Sequence, residues 1–365
     1  MEIKRPKLTH GIVNRVTTSL FSYQGWPTVA RDEKGVLYAV ASSFRISHIC
    51  PFGKTAMYKS FDGGKTWTPP IVINDTYVDD RDAGIVYLGN GKMIVTWFCH
   101  PARSYAEGEW FEFIKMAAPD AARGAALGLL EGYKYLPDNV QGGGSYLRIS
   151  EDYGVTWSDT IRVPISSPHG PTLLRDGSIG YFGLECYGTD ALPAMAIAYY
   201  KSFDGGYTWE KIALINSPDW LREGEYLDEP HMIELPDGRL LAAFRMEGPY
   251  PLTVGFVYSD DGGKSWGEIK RLENEWGSPP HLMLHSSGAL ICTCGHREKP
   301  YGEHAFISYD LGDSWTKRYI LDESPYHDLG YPSTVELDDG SLITVYYQKY
   351  GDDNTPSILY THWEL

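Results

Sequence analysis

Apolar and polar positions alternate in short runs along most of the chain, and the runs come in pairs. Each pair is split by a turn dipeptide ending in Gly. The pairs span residues 27–44 (turning at Lys34-Gly35), 83–99 (Asn90-Gly91), 171–186 (Asp176-Gly177), 230–245 (Asp237-Gly238), 281–294 (Ser287-Gly288) and 332–348 (Asp339-Gly340). Period-two alternation about such dipeptides predicts β-hairpins, because side chains on a strand face opposite ways in turn and Gly accepts the positive φ of a tight turn. Six hairpins are expected.

An eight-residue unit follows each of the first five. Ser60-Phe61-Asp62-Gly63-Gly64-Lys65-Thr66-Trp67 recurs at 150–157, 202–209, 259–266 and 308–315, always as Ser-x-Asp-x-Gly-x-Thr/Ser-Trp without insertion. Its chemistry suits a turn in which Asp caps backbone N–H groups, Gly takes a positive φ and Trp packs beneath. A unit repeating about every 50 residues signals a propeller or solenoid. A hairpin plus a turned third and fourth strand, six times over, predicts a six-bladed β-propeller: all-β, one domain over 1–365. The last blade has a third strand at 357–361 and then the chain ends, so its fourth strand is expected from 11–18, closing the ring and removing an open edge. The spacing breaks once. Asp62 and Asp152 are 90 positions apart, against 52, 57 and 49 for the later pairs, which places an insertion at about 100–146 in blade two, with a helix expected over 117–130.

Composition narrows the partners. Hydrophobic residues at 42% and charged residues at 22% suit a globular protein, and 27 Tyr, 11 Trp and 39 Gly suit short strands joined by tight turns. A formal charge of -16 without a basic stripe argues against nucleic acid. No stretch is apolar and long enough to span a membrane, and no apolar run of a signal peptide follows Met1, so a cytoplasmic location is expected. The cysteines Cys50, Cys99, Cys186, Cys292 and Cys294 lack metal-ligand or redox spacing and read as buried thiols. No cofactor or metal is called for. Asp79-Asp80-Arg81-Asp82 lacks the spacing of a calcium loop and reads as a self-paired or site-lining cluster.

Topology says where chemistry would sit. In an antiparallel hairpin the first strand begins where the second ends, and the Asp-rich turns lie at the opposite end. The mouth is therefore formed by Gly25-Trp26, Asp80-Arg81-Asp82, His169, Asp228-Glu229, Ser278-Pro279 and Gly330-Tyr331 with Arg45, His100, Glu185, Arg245, Arg297 and Gln348. Charges gathered at a propeller axis must pair or bind something.

The repeated unit is the Asp-box, and with it the chain resembles the sialidase superfamily of β-propellers. The segment Asp228-Glu229-Pro230-His231-Met232-Ile233-Glu234-Leu235-Pro236-Asp237-Gly238, running on to Arg245, is similar to the one that carries that family's catalytic Glu and a substrate-binding Arg. Gly330-Tyr331-Pro332-Ser333-Thr334 resembles the segment with its catalytic Tyr. The resemblance implies Tyr331 as nucleophile and Glu229 as its base, since a neutral phenol avoids repulsion by a sugar carboxylate. It implies an anion clamp of Arg45, Arg245 and Arg297. Two departures stand out. Trp26 occupies the place of the family's first Arg, and the loop 46–56, where an acid Asp is expected, contains none. His48 is the titratable group on that loop, and Asp82 lies nearby in the next blade. Both are candidate acids, with Trp26, Asp80, Arg81 and His169 as further substrate contacts.

Three functions are compatible with these residues. The first is a retaining sialidase-like exo-glycosidase acting on a terminal acidic sugar of a glycan. The second is a glycosidase for a different terminal sugar. The third is a propeller that binds glycans without turnover.

Overall fold

In the computed structural model, which describes residues 1–117, 119–185, 196–273 and 275–365, the alternating pairs form the inner strands of six blades around one axis. The chain begins with β1 (Glu2–Lys4) and β2 (Leu8–Asn14). Blade one is β3 (Tyr23–Arg31), β4 (Leu37–Arg45), β5 (Lys54–Ser60) and β6 (Ile71–Asn74). Blade two is β7 (Arg81–Gly89), β8 (Lys92–Cys99), β9 (Gly144–Ser150) and β10 (Ile161–Val163). Blade three is β11 (Thr172–Leu173), β12 (Ile179–Leu184), β13 (Ile197–Ser202) and β14 (Glu210–Ile215). Blade four is β15 (Tyr226–Glu234), β16 (Leu240–Glu247), β17 (Thr253–Ser259) and β18 (Lys270–Arg271). Blade five is β19 (His281–Leu284), β20 (Leu290–His296), β21 (Tyr301–Ser308) and β22 (Lys317–Ser324). Blade six is β23 (Gly330–Glu336), β24 (Leu342–Lys349) and β25 (Pro356–Trp363), completed by β2.

The ring closes a little upstream of where the sequence places it. Leu8 faces Trp363 and Asn14 faces Ile358, so the closing strand is Leu8–Asn14 rather than 11–18. The reason lies in β1, which pairs in parallel with β22 of blade five (Glu2 opposite Lys317). With the first residues held there, the chain reaches blade six at once and pairs along β25 immediately after Pro6. Beyond the strand, Arg15 turns aside to bind Asp353 at 2.7 Å.

Each Asp-box forms a hydrogen-bonded turn. In blade one Ser60 Oγ donates to Asp62 Oδ1 (2.9 Å) and accepts from the Gly64 N–H (2.8 Å), while the Thr66 N–H and hydroxyl donate to the Asp62 carboxylate (2.9 and 2.6 Å). The box lies beside the hairpin turn, as the Tyr153 N–H to Gly91 carbonyl bond of blade two shows. Its Trp points into the seam with the preceding blade. Trp67 packs between blades six and one, Trp157 between one and two, Trp266 between three and four, and Trp315 between four and five. The seam between blades five and six has no box to supply one. Trp363 of β25 fills it instead, 1% exposed and donating to Thr344 Oγ1 at 2.9 Å.

The insertion is helical: α1 (Arg103–Ala106), α2 (Gly108–Lys115), α3 (Asp120–Tyr133) and α4 (Asp138–Gln141). It packs through Tyr105, Ile114, Ala126, Leu130 and Tyr133 onto Ile46, Ile49, Phe52 and Trp97, on the mouth side of blades one and two. Cys50, Cys99, Cys292 and Cys294 are buried free thiols, whereas Cys186 lies outside the described residues. Among the described residues no helix is long and apolar enough to cross a membrane.

Candidate active site

The mouth is built by one backbone device used four times. Just inside the start of an inner strand, the register with its neighbour skips, and a non-Gly residue takes a left-handed conformation. The four are Trp26 (φ 55°), Asp82 (48°), Glu229 (41°) and Tyr331 (54°), in β3, β7, β15 and β23. A bulge of this kind breaks the in-and-out alternation and re-aims one side chain, here toward the axis. Left-handed backbone is costly for residues with a Cβ, and such strain collects at functional sites.

These four line one cavity of about 340 Å3, together with His48, Arg81, Phe98, His100, Tyr226, Asp228, Arg245, Glu247 and Arg297. A larger, mainly apolar hollow of about 590 Å3 lies between α3 and blade one, but its two charged residues, Lys54 and Asp75, pair with each other. The axial cavity, by contrast, gathers Asp82, Asp228, Glu229, Glu247, Arg245 and Tyr331.

At its centre the Tyr331 hydroxyl donates to Glu229 Oε1 at 2.5 Å. Arg245 Nη1 donates to Glu229 Oε2 at 2.7 Å and lies 3.3 Å from the Tyr331 oxygen. Its Nη2 is bound by Glu247. Burial, reinforced by the Glu229 charge and opposed by Arg245, holds the Tyr331 phenol well above its ordinary pKa. Asp82 is pushed up to about 7, first by burial, with Arg81 opposing and Glu229 adding to the rise. Asp228 also rises to about 7, from burial and then from Glu229. Two protonatable carboxyls thus share the cavity with a neutral tyrosine bonded to an ion-paired glutamate.

The remaining expected residues fall into two groups. Trp26 lines the cavity with guanidinium groups over its ring, Arg81 at 4.3 Å and Arg45 at 4.7 Å. His48 packs edge-on against Trp26 (5.1 Å), and its Nδ1 faces Asp328 (3.2 Å) and the Tyr23 hydroxyl (2.9 Å); burial lowers its pKa. Arg81 Nη1 donates to the His48 carbonyl (3.2 Å) and to Asp79 (3.3 Å). Arg297 donates to the Leu329 carbonyl (3.0 and 2.9 Å) and to Tyr347 (3.1 Å).

Three expected contacts do not line the cavity. Arg45 is fully buried behind Trp26, its two terminal nitrogens on the Asp79 carboxylate. Asp79 stays ionised because Arg45 and Arg81 outweigh its burial. Asp80 is fully buried and accepts from Asn74, Thr76 and Cys99, so it secures the loop before β7. His169 sits below, with Nδ1 3.2 Å from Thr28 Oγ1 and its ring among His231, His281 and Tyr331. Burial keeps these three imidazoles neutral, a floor for the mouth rather than ligands. The expected three-arginine clamp is therefore not assembled: Arg45 and Arg297 brace neighbouring blades, each reaching from the end of one hairpin to the entry of the next. Asp228 and Glu247 went unassigned in the sequence. Glu247 had a signal, since it lies two residues past Arg245 on one strand and so on the same face.

Fold and site together define an Asp-box propeller with a tyrosine–carboxylate–arginine centre at its mouth. The chain belongs to the BNR repeat-like domain family, which it matches over residues 132–344, with a separate BNR/Asp-box repeat match at 58–69. No curated protein matches it. Among solved structures it is similar to a protein of unknown function from Dyadobacter fermentans, 21% identical, covering 98% of this chain and 99% of that one, TM-score 0.75. It is similar also to the intramolecular trans-sialidase from Ruminococcus gnavus, solved with oseltamivir carboxylate: 16% identity, 96% of both chains, TM-score 0.66. A third is the GH93 α-L-arabinofuranosidase of Fusarium graminearum, solved with arabinobiose: 13% identity, 98% of both chains, TM-score 0.65. At these identities the likeness is one of fold.

Proposed function

We propose that this protein is a retaining exo-glycosidase that removes a terminal sugar from a glycan, with Tyr331 as nucleophile. The observation that carries the reading is the 2.5 Å hydrogen bond from Tyr331 to Glu229, with Arg245 bridging both oxygen centres. Support comes from the fold, shared with a trans-sialidase and an arabinofuranosidase.

The phenol is neutral in the resting site, so it must lose its proton as it attacks. Its oxygen bonds to the anomeric carbon while the proton passes to Glu229 Oε1. Arg245 stabilises the charge that develops on the phenol oxygen. The glycosidic C–O bond breaks as Asp82, whose pKa burial raises to about 7, donates from its protonated form to the leaving oxygen. In the second half Asp82 takes a proton from water, water displaces the tyrosyl ether at the anomeric carbon, and Glu229 returns the proton to Tyr331. A phenol adds no further negative charge to a cavity already lined by the carboxylates Glu229 and Glu247.

Release of a fluorogenic aglycone from a panel of aryl glycosides tests this. Tyr331→Phe should lower the rate at least about 10³-fold and Glu229→Gln about 10²-fold or more, with folding unchanged. A Tyr331→Phe variant as active as wild type would remove Tyr331 from the mechanism.

A further inference from the structure

We infer that the sugar accepted by this cavity carries no carboxylate: its substrate class is the uncharged terminal glycoside, recognised through hydroxyl groups. The inference rests on the glycosidase reading above and says which sugars that site takes.

The cavity's cations are engaged. Arg245 holds Glu229 with one terminal nitrogen and Glu247 with the other. Arg81 is shared between Asp79 and the His48 carbonyl, with Asp82 4.0 Å from its Nε. Arg297 is turned onto the Leu329 carbonyl and the Tyr347 hydroxyl. Arg45 is walled off behind Trp26 on Asp79. Among the described residues, Arg297 alone of these four has no carboxylate partner, and a lone guanidinium is no clamp. Facing the same space are the carboxylates Glu229 and Glu247, with the protonatable Asp82 and Asp228 beside them. A bound carboxylate would have to displace an ion pair or sit among like charges.

What the lining offers instead is an unpartnered acceptor. Among the described residues Asp82 Oδ1 is buried without a hydrogen-bond partner, a position a sugar hydroxyl would satisfy. That feature selects a polyol over an acid.

The test compares umbelliferyl glycosides of neutral sugars, including arabinofuranoside and galactoside, with those of N-acetylneuraminic and glucuronic acid, on wild type and Tyr331→Phe. The expected result is kcat/KM at least 100-fold higher for a neutral glycoside than for either acid, lost in the variant. An acidic glycoside as the better substrate, with the same dependence on Tyr331, would overturn the inference and leave the glycosidase reading standing. If no glycoside is cleaved, the glycosidase reading fails, and calorimetric titration with free arabinose, galactose and N-acetylneuraminic acid decides the inference: binding of a neutral sugar alone supports it, and binding of the acid, or of none, overturns it. Glu247→Gln frees Arg245 Nη2 and should raise affinity for N-acetylneuraminic acid at least tenfold; no rise would contradict the role given to that ion pair.

Discussion

Asp82 shows how single residues set the chemistry. Its carboxyl is held by burial near pKa 7, where a group can both give and accept a proton at neutral pH. The sign follows. A general acid must be protonated, so kcat/KM should fall about tenfold per pH unit once pH rises beyond about 7, and Asp82→Asn should abolish that limb with a loss of about 10²-fold or more. A limb that survives in Asp82→Asn would move the acid role to Asp228, whose pKa also stands at about 7. The same scale explains the disfavour toward acidic sugars. Two like charges about 4 Å apart repel by about 4 kcal/mol at an effective dielectric of 20, a large fraction of the binding energy of a monosaccharide. Trp26 in the place of a guanidinium removes the compensation. From sequence the residue types at the mouth were legible, because each opens or ends a hairpin. Their pairing was not: that Arg45 would spend its charge on Asp79 depends on the approach of two blades, which no spacing reports.

At the level of strands and turns, stability and chemistry occupy opposite ends of each blade. The Asp-boxes and their tryptophans bind blade to blade, and the bulged starts of the inner strands aim side chains at the axis. Trp266 makes the point, with its ring 4.7 Å from Phe182 and 5.6 Å from Tyr199 in the seam between blades three and four. Trp266→Ala should lower unfolding free energy by about 3 kcal/mol, read from denaturant titration, by loss of buried contacts. Turnover per folded molecule at 20 °C should stay within about twofold of wild type, as the rings that Trp266 packs on, Phe182 and Tyr199, do not line the cavity. A proportionate loss of kcat would show that the two ends are coupled. Hairpins and boxes were plain in the sequence because their turn chemistry is local. The bulges were half visible. Trp26-Pro27, Glu229-Pro230 and Tyr331-Pro332 mark three of the four sites, since a residue before Pro is barred from ordinary helical backbone. Dipeptides do not reveal which way such a residue points.

For the whole molecule, closure of the ring is what makes a site. Tyr331 of blade six and Glu229 of blade four are 102 residues apart in the chain and meet at the axis of the closed ring. Closure was foreseen from an incomplete last blade, though not the added β1 on blade five, whose three residues carry no pattern to read. The helical insertion was visible as excess length, and its Tyr105 now supports the site from behind by donating to Asp79 at 2.9 Å. Tyr331 as nucleophile is the claim on which the rest turns. The direct measurement is to trap the glycosyl-enzyme with a fluorinated form of the best neutral glycoside and locate the added mass by peptide mapping. One glycosyl unit on the peptide containing Tyr331, absent in Tyr331→Phe, is the expected result. The same mass on the peptide containing Glu229, or full turnover without any adduct on Tyr331, would contradict it.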